Sequence, residues 1–296
     1  MKAYTTEEIS QIMDMSERGE GDRRTKEILY RGMNGVKKGN LAFSLSREEI
    51  LEYGRCTMDP IHFFETHCKI RTPQGLAHPL PRDYQRDLIR NYYDHRFNLV
   101  ATSRQSGLTT MIALLAIHDL VFGTEKNLAI VTPDHSDVME MIRIIYINLP
   151  FYIKPGVLKW REDRLVFDNG CTVIAKNRGK KIIGANRSTI FIDGFSHIKE
   201  NENLLNLILP SASANRETKL HISSLPNGDD LFHDLLINAE RKDGDPKKNQ
   251  FIPQRIYWWE VPGRDANWKS QMVEMLGSEE SFDREFDLSF KERSRK

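Results

Sequence analysis

Short apolar runs and helix-length segments alternate along the chain from about residue 82 onward. The runs FNLVAT (97–102) and TIFID (189–193) have the length of strands, whereas TTMIALLAIHDLVFG (109–123) has the length of a helix. Strands separated by helices of this length form parallel sheets, because a crossover helix returns the chain to the same edge of the sheet. Near-continuous apolar strands are typical of sheets covered on both faces. The sequence therefore predicts an α/β fold with a mainly parallel sheet flanked by helices.

Five stretches carry the strongest strand signals. They are residues 98–102, 127–132, 189–193, 219–224 and 254–260. The last stretch places Trp258 and Trp259 in the middle of a strand, where neighbouring side chains face opposite sides. The dipeptide Asn169-Gly170 separates two alternating segments and predicts the turn of a β-hairpin.

The part of the chain before residue 82 has a different character. Residues 1–45 are polar and contain several glycines, and we interpret them as a flexible N-terminal arm. Ser46 and Glu49 have the spacing of a capping box, and Pro60 ends one helix and begins the next. We therefore expect a small helical subdomain over residues 46–81 and an α/β core over residues 82–296.

Hydropathy and charge exclude several classes of protein. The sequence has no run of 18 apolar residues, so no membrane-spanning helix is expected. The N-terminus lacks the apolar stretch of a signal peptide, which predicts an intracellular protein. The formal net charge is +1, so any contact with nucleic acid must depend on a local patch rather than on overall charge.

Cysteine and histidine residues form no recognisable metal motif in the sequence. Cys56, Cys68 and Cys171 are too few and too scattered for a disulfide framework or a four-ligand zinc site. His62 and His67 lie close to Cys68 in sequence, but the three residues lack zinc-binding spacing. The sequence therefore predicts no zinc site.

The segment SRQSGLTT, residues 103–110, follows an apolar strand and precedes a helix. This context is typical of a phosphate-binding loop, in which backbone N–H groups and the helix N-terminus face an anion. Such loops place a lysine directly after the last glycine and then a hydroxyl for Mg²⁺. Gly107 and Thr109 fit this pattern, but Leu108 occupies the lysine position. An ordinary strand–helix turn is the alternative interpretation.

A second candidate motif lies about 85 residues further on. Four apolar residues lead to Asp193 at the predicted end of a strand, and Gly194 follows. In nucleotide hydrolases an aspartate in this context steadies Mg²⁺. A glutamate normally follows it and polarises the attacking water, which a glycine cannot do. A lone strand that ends in aspartate is common, so this motif is weak by itself.

Five segments carry a resemblance to a known family. They are RDYQRD (82–87), SRQSGLTT (103–110), LPFYIKPGVLKW (149–160), TIFIDGFSHI (189–198) and HISSLPNGDDLFHDL (221–235). In their order and spacing, they resemble the N-terminal ATPase domain of tailed-bacteriophage large terminase subunits, most closely those of T4-like phages. The resemblance extends over residues 45–290.

This resemblance implies a RecA-like P-loop ATPase fold and assigns roles to individual residues. Gln85 matches the residue that reads the adenine base. The implied nucleotide-binding residues are Gln85, Ser103, Arg104, Gln105, Gly107, Thr109 and Thr110. The implied catalytic residues are Arg104 and Asp193. The implied Mg²⁺ ligands are Thr109 and Asp193. The implied coupling residues are Ser223, Ser224 and Asn227.

The resemblance also implies cofactors and partners. ATP and Mg²⁺ are the implied cofactors, and double-stranded DNA is the implied polymer that the motor moves. A portal protein and a small terminase subunit are implied partners, acting with the chain in the host cytoplasm, and no membrane is expected. A basic stretch supplies the candidate DNA-binding residues Lys176, Arg178, Lys180 and Lys181. The family's RNase H-like nuclease domain and its activity are expected to be absent, because the sequence ends at Lys296.

Two departures from the family pattern affect the expected catalysis. Leu108 replaces the lysine that meets the β- and γ-phosphates, which removes charge-assisted hydrogen bonds of roughly 1.5–3 kcal/mol each. Gly194 replaces the water-activating glutamate, a loss of roughly 10²–10⁴ in rate. The candidates for compensation are Lys176, Arg178, Lys180 or Lys181 for the cation and Glu200 or Glu202 for the acid.

Three functions therefore stay open at the level of the sequence. The first is a packaging-motor ATPase whose hydrolysis is impaired. The second is a non-catalytic terminase-like protein that serves as a DNA-binding or assembly module. The third is a helicase-like ATPase with the same core, which the missing helicase signatures disfavour.

Overall fold

The computed structural model describes residues 3–18, 22–177, 186–225 and 230–288. Its helices are α1 (Thr6–Glu17), α2 (Asp22–Ile28), α3 (Arg47–Met58), α4 (Pro60–Thr66), α5 (Asp83–Asp94), α6 (Leu108–Phe122), α7 (His135–Asn148), α8 (Asn201–Ala214), α9 (Leu231–Ala239), α10 (Ala266–Leu276) and α11 (Glu279–Phe286). Its strands are β1 (Ile70–Thr72), β2 (Gly75–Ala77), β3 (Phe97–Thr102), β4 (Asn127–Val131), β5 (Val157–Arg161), β6 (Arg164–Phe167), β7 (Thr172–Lys176), β8 (Thr189–Asp193), β9 (Lys219–Ser224) and β10 (Ile252–Ile256). Short 3₁₀ helices occupy Tyr30–Gly32, Phe195–His197 and Trp258–Glu260.

The chain forms two structural units. The first unit is made of Met1–Pro81, Thr110–Leu128 and Ser136–Ala175. The second unit is made of Arg82–Thr109, Ala129–His135 and Lys176–Lys296. This division differs from the predicted boundaries at residues 45 and 81, because two segments from the middle of the chain join the N-terminal residues in the first unit.

The second unit contains the parallel part of the sheet. Its strands lie in the order β10-β3-β9-β8, followed by the end of β4. The pairs β10·β3, β3·β9 and β8·β9 are all parallel. Leu99, Ile192 and Ile222 are fully buried, as expected for strands covered on both faces. The predicted α/β class with a mainly parallel sheet is confirmed.

The first unit contains the start of β4 and an antiparallel meander. The strand order is β4-β7-β6-β5, and the pairs β5·β6 and β6·β7 are antiparallel. The predicted turn at Asn169-Gly170 joins β6 to β7, and Gly170 has the positive φ of +80° that such a turn requires. The predicted hairpin is therefore confirmed.

Residues 3–18 and 22–45 differ from the flexible arm that their composition suggested. Helices α1 and α2 bury Ile9, Ile12, Ile28 and Leu29 in a common apolar cluster, and Phe43 packs against it. Ile9 and Ile12 are three residues apart and so share one face of α1. In the region that follows, the predicted capping box at Ser46 and the predicted helix start at Pro60 are both present.

The structure corrects the predicted strand over residues 254–260, which is too long at its C-terminal end. Strand β10 ends at Ile256, and the two tryptophans lie in the 3₁₀ helix that follows. Glu260 caps this turn by accepting a hydrogen bond from the backbone N–H of Tyr257 (2.6 Å). Trp258 then stacks on Trp268, 5.7 Å between ring centroids. The packing of Trp258 on α10 therefore outweighs the strand propensity of this segment.

Among the residues that the structure describes, no helix has the length and apolar character needed to cross a membrane.

Candidate functional site

The candidate phosphate loop, residues 103–107, lies in the second unit between the end of β3 and the start of α6. Gln105 and Gly107 both adopt left-handed backbone conformations, with φ of +57° and +80°. A Cβ at Gly107 would lie 2.9 Å from Nε2 of Gln85, so that amide would have to shift to make room. The positive φ is therefore the main reason that the loop favours glycine at this position.

Donors from two distant segments bind the carbonyl groups of this loop. The Tyr84 hydroxyl and Nε2 of Gln85 donate to the carbonyl of Ser106, at 2.9 and 3.2 Å. Arg264 donates to the carbonyls of Arg104 (2.9 Å) and Gln105 (3.3 Å). In a trans peptide the C=O and the next N–H point in opposite directions. The N–H groups of residues 105–107 are therefore turned away from these donors, as a phosphate-binding loop requires.

Three polar side chains meet at the carboxyl ends of the parallel strands. Oδ2 of Asp193, the last residue of β8, accepts a hydrogen bond from Oγ1 of Thr109 (2.8 Å). Oδ1 of Asp193 accepts one from Oγ of Ser223 (2.8 Å). Asp193 and Ser223 are direct partners in the register of β8 and β9. The sheet itself therefore sets the position of this carboxylate beside the first turn of α6.

The environment of Asp193 raises the pKa of its carboxyl group. Burial raises the pKa of Asp193 above its ordinary value, while hydrogen bonds from Ser223, Thr109 and the N–H of Gly194 counteract this rise. The hydroxyl of Thr109 and the carboxylate are hard oxygen donors of the kind that Mg²⁺ prefers. Adjacent ligands of an octahedral Mg²⁺ ion lie about 3 Å apart, close to the separation of these two oxygen atoms. The residues present therefore fit a magnesium ion.

Ser224 connects the same edge of the sheet to the chain that follows Asp193. Its Oγ accepts a hydrogen bond from the backbone N–H of Ser196 (3.0 Å) and donates one to the carbonyl of Leu225 (2.9 Å). Ser196 lies in the 3₁₀ helix directly after Gly194. A displacement of the segment after Asp193 would therefore change the hydrogen bonds at the end of β9.

Both departures from the family pattern have a defined place in the structure. Leu108 is the first residue of α6 and is buried, so it presents an apolar side chain at the helix N-terminus. Gly194 adopts the left-handed conformation, with φ +70° and ψ +37°. A Cβ at this position would lie 3.3 Å from Cδ of Pro133. The backbone at residue 194 therefore favours glycine.

Arg104 forms an ion pair with an acidic side chain on α11. Its Nε forms an ion pair with Oε2 of Glu285 on α11, at 2.5 Å, and the Arg104 side chain is about half exposed. Ser103, by contrast, is buried, and its backbone N–H donates to the carbonyl of Ile256 on β10 (3.0 Å). This part of the loop is thus connected to the C-terminal helices as well as to the sheet.

The remaining predicted site residues lie elsewhere or outside the described residues. Thr110 belongs to the first unit, where its hydroxyl lies 4.0 Å from Sδ of Met141 and lines a cavity of about 290 Å³. Lys176 ends β7, and its carbonyl accepts a hydrogen bond from Thr132 (3.1 Å). Glu200 and Glu202 are exposed at the start of α8. The candidates that lie outside the described residues are Arg178, Lys180, Lys181 and Asn227.

Two residues that support the loop were missed by the sequence analysis. Tyr84 lies beside Gln85 in the segment RDYQRD, so a hydroxyl next to that glutamine was the available signal. Arg264 is about 160 residues from the loop and has no sequence signal. Its guanidinium also lies over the Trp268 ring, 4.7 Å from the centroid, which fixes its position.

We expect Arg264→Met to loosen the loop without unfolding the protein. The substitution removes charged donors from the carbonyls of Arg104 and Gln105, and such bonds contribute roughly 1.5–3 kcal/mol. NMR order parameters of residues 104–107 should fall below about 0.6, the range of flexible backbone. Arg255→Met is the matched control, because it removes a partly exposed ion pair with Glu240, which lies outside the loop. Unchanged order parameters in Arg264→Met would contradict the supporting role.

Comparisons with known proteins identify a family and several similar folds. Residues 99–295 match the family model of the terminase large subunit, T4-like virus type, N-terminal part. The large terminase ATPase domain of Thermus phage P74-26 has 19% identity and a TM-score of 0.58, covering 72% of this chain and 94% of that one. The HK97 bacteriophage large terminase has 17% identity and a TM-score of 0.62, covering 78% and 54%. A large terminase from a thermophilic bacteriophage, in complex with ADP, has 13% identity and a TM-score of 0.52, covering 71% and 53%.

These matches show the fold. At such identities, likeness to the solved structures supports the RecA-like architecture and nothing finer, and the predicted RecA-like fold is confirmed. The chain spans nearly all of the P74-26 ATPase domain but about half of the length of the HK97 protein and of the ADP-bound terminase.

Proposed function

The chain belongs to the large terminase subunits of the T4-like virus type, in their N-terminal part, and from this membership we propose that it is a nucleotide-binding domain of a viral DNA-packaging motor. The observation that best supports nucleotide binding is the contact between Thr109 and Asp193 (2.8 Å) directly beside the candidate phosphate loop. This pairing provides a hydroxyl and a carboxylate where a nucleotide-bound Mg²⁺ would need them.

Each part of the site has a proposed task. The N–H groups of residues 105–107 and the N-terminus of α6 bind the phosphates of ATP. Thr109 and Asp193 hold Mg²⁺, which neutralises phosphate charge when it is bound. Gln85 contacts the base side of the nucleotide. In this structure its amide nitrogen donates to the carbonyl of Ser106, so base binding requires that amide to be shared or released.

Arg104, Ser103, Gln105 and Thr110 were also assigned to the nucleotide, and these assignments stay proposals. Arg104 has to leave its ion pair with Glu285 to reach a phosphate. That pair is partly exposed, so its release requires only about 1 kcal/mol or less. An arginine released in this way would supply a mobile cation near the loop, where Leu108 supplies none.

Hydrolysis in this domain is proposed to be impaired. Leu108 is an apolar side chain where the family has the phosphate-binding lysine. Gly194 lacks the carboxylate that activates water, and its left-handed backbone disfavours any other residue. The two positions serve different acts, phosphate binding and water activation, so both losses lower turnover.

Coupling and partners complete the proposal. Ser223 joins the carboxylate of Asp193 to the end of β9, and Ser224 joins the backbone of Ser196 to it. Asn227 is proposed to extend this coupling. Lys176, Arg178, Lys180 and Lys181 are proposed to contact the phosphates of double-stranded DNA. A portal protein and a small terminase subunit are the proposed protein partners, in the host cytoplasm.

A non-catalytic DNA-binding or assembly module is the second candidate function. The left-handed backbone at residue 194 favours it, because a side chain at the acid position would be strained as well as missing. In that case the loop and Asp193 would have only a structural role.

Titration of a fluorescent ATP analogue, combined with phosphate release in the presence of double-stranded DNA, separates these functions. We expect weak, Mg²⁺-dependent binding and turnover close to background. Asp193→Asn should remove the Mg²⁺ dependence, whereas Asp87→Asn, which alters an exposed ion pair with Arg90, should not. Absence of binding with or without Mg²⁺ would favour the non-catalytic module. Robust turnover would contradict the proposed impairment.

A further inference from the structure

A cluster of four metal-binding side chains lies in the first unit, apart from the nucleotide site. Its members are Glu52 and Cys56 on α3, His62 on α4 and His67 directly after α4. One donor atom from each residue lies within 4.8 Å of the other three. Neither the terminase fold nor the proposed function requires such a grouping.

The donor atoms converge on a small volume. Nε2 of His62 and Nε2 of His67 each lie 2.7 Å from Oε1 of Glu52. Sγ of Cys56 lies 3.5 Å from the same oxygen. In a tetrahedral zinc site the bonds are about 2.0–2.3 Å, so neighbouring donors lie about 3.3–3.7 Å apart. A small outward rotation of the two imidazoles therefore gives the spacing of a zinc site.

The chemistry of the donors is selective. One thiol, two imidazoles and one carboxylate form the mixed S, N and O set that zinc accepts in proteins, whereas Mg²⁺ and Ca²⁺ prefer oxygen donors alone. Cys56 is completely buried, and the side chains of His62 and His67 are only 13% and 15% exposed. Bound metal would thus be largely shielded from water.

The scaffold around the cluster is well packed. Glu52 and Cys56 are four residues apart, so they lie on one face of α3. Phe63 and Phe64 anchor α4 and are fully buried. The carbonyl of Cys56 accepts a hydrogen bond from Nε2 of His118 on α6 (3.0 Å). The helices that carry the donors are thus held by packing, and hydrogen bonds to Glu52 hold both imidazoles, so little further freedom is lost when a metal ion binds.

From this geometry we propose that Glu52, Cys56, His62 and His67 bind one Zn²⁺ ion, which joins α3 to α4. The thiol of Cys56 gives up its proton to solvent on binding, and each histidine coordinates through Nε2. Helix α4 has seven residues, too few to be stable without tertiary contacts. A metal that links it to α3 therefore stabilises the N-terminal helical region.

The spacing of His62, His67 and Cys68 had predicted no zinc site, and Cys68 is indeed outside the cluster. The set that the structure brings together instead takes two donors from each of two consecutive segments. The alternative is a purely hydrogen-bonded cluster, in which Glu52 accepts from both imidazoles. The two arrangements differ in one measurable property, the retention of metal.

The test uses the full chain, purified without a metal-binding tag and dialysed against metal-free buffer after incubation with Zn²⁺. Elemental analysis should find one zinc per chain. Cys56→Ser and His67→Gln should each lower zinc affinity by on the order of 100-fold. Cys171→Ser and His78→Gln are the matched controls, because both residues lie outside the cluster, and they should retain zinc.

Cobalt provides a second measurement that does not depend on how well the variants fold. Titration of the unmodified chain with Co²⁺ should produce a thiolate-to-cobalt charge-transfer band and the visible spectrum of a tetrahedral ion. Free zinc at 100 times its dissociation constant should raise Tm by roughly 5–10 °C, and a chelator should reverse the shift. No retained zinc and no charge-transfer band, or equal zinc binding in all four variants, would overturn the proposal.

Discussion

Leu108→Lys is expected to raise the affinity of the chain for ATP by roughly 10- to 100-fold. A lysine at the first position of α6 places an ammonium group beside the loop whose N–H groups are proposed to hold the phosphates. A charge-assisted hydrogen bond contributes roughly 1.5–3 kcal/mol, and each 1.4 kcal/mol is a tenfold change in affinity. Titration of a fluorescent ATP analogue at fixed Mg²⁺ measures the change directly.

The same substitution has a structural consequence that can be measured in parallel. Leu108 is buried, with 8% of its surface exposed. Replacing it should therefore lower the free energy of unfolding of the nucleotide-free protein by about 1–2 kcal/mol, because apolar burial is lost. Tm should therefore fall without nucleotide and recover more strongly when ATP is added.

Leu108→Met is the control for the affinity gain. It keeps the volume and the apolar character of the side chain, so binding should stay at the level of the unmodified chain. The gain in Leu108→Lys should also shrink as salt concentration rises, because it depends on charge. Equal affinities of the lysine and methionine variants would show that phosphate does not lie at this helix terminus.

The sequence was sufficient to predict the parts of the site that belong to strand ends. Apolar runs located β3, β8 and β9, and parallel strands bring their carboxyl ends to one edge. Asp193 and Ser223 are register partners for this reason, and Thr109 meets them because the loop after β3 is short. Local patterns and one topological rule account for Thr109 and Asp193, whereas Ser223 was expected from the family resemblance alone.

The features that the sequence did not predict depend on side chains from distant segments. Arg264 reaches the loop because its guanidinium packs on Trp268, and that tryptophan belongs to a cluster with Phe282 and Phe286. Trp258 joins the same cluster, which ends β10 earlier than its strand propensity indicated. Such contacts depend on tertiary packing, which overrides local preference.

The four-residue cluster Glu52, Cys56, His62 and His67 illustrates the same limit in the first unit. Its spacing in sequence resembles no zinc motif, because the donors lie on both sides of a helix boundary at Asp59. The packing of α3 against α4 brings them together, and Phe63 and Phe64 on α4 are fully buried. Motif spacing predicts a site only when one local element, such as a turn or a single helix face, carries the ligands.

Gly194→Glu combined with Leu108→Lys is expected to give measurable ATP hydrolysis where neither single variant does. The lysine supplies phosphate binding and the glutamate supplies water activation, which contributes roughly 10²–10⁴ in rate. Parts of one catalytic unit are non-additive, so the double variant should exceed the product of the single effects. DNA-stimulated phosphate release from the four proteins measures this coupling.

The left-handed backbone at residue 194 makes a glutamate there less stable, so the control variant must carry the same strain. A glutamate there takes a left-handed conformation and brings Cβ to 3.3 Å from Pro133, which together should lower the free energy of unfolding by about 1–2 kcal/mol. Leu108→Lys with Gly194→Gln carries the same strain but no carboxylate. Hydrolysis by the glutamate variant and not by the glutamine variant would assign water activation to this position. Equal rates in both would show that the backbone after Asp193 has moved this position away from the nucleotide, and the loss of activity would then lie in the conformation of the chain rather than in one missing side chain.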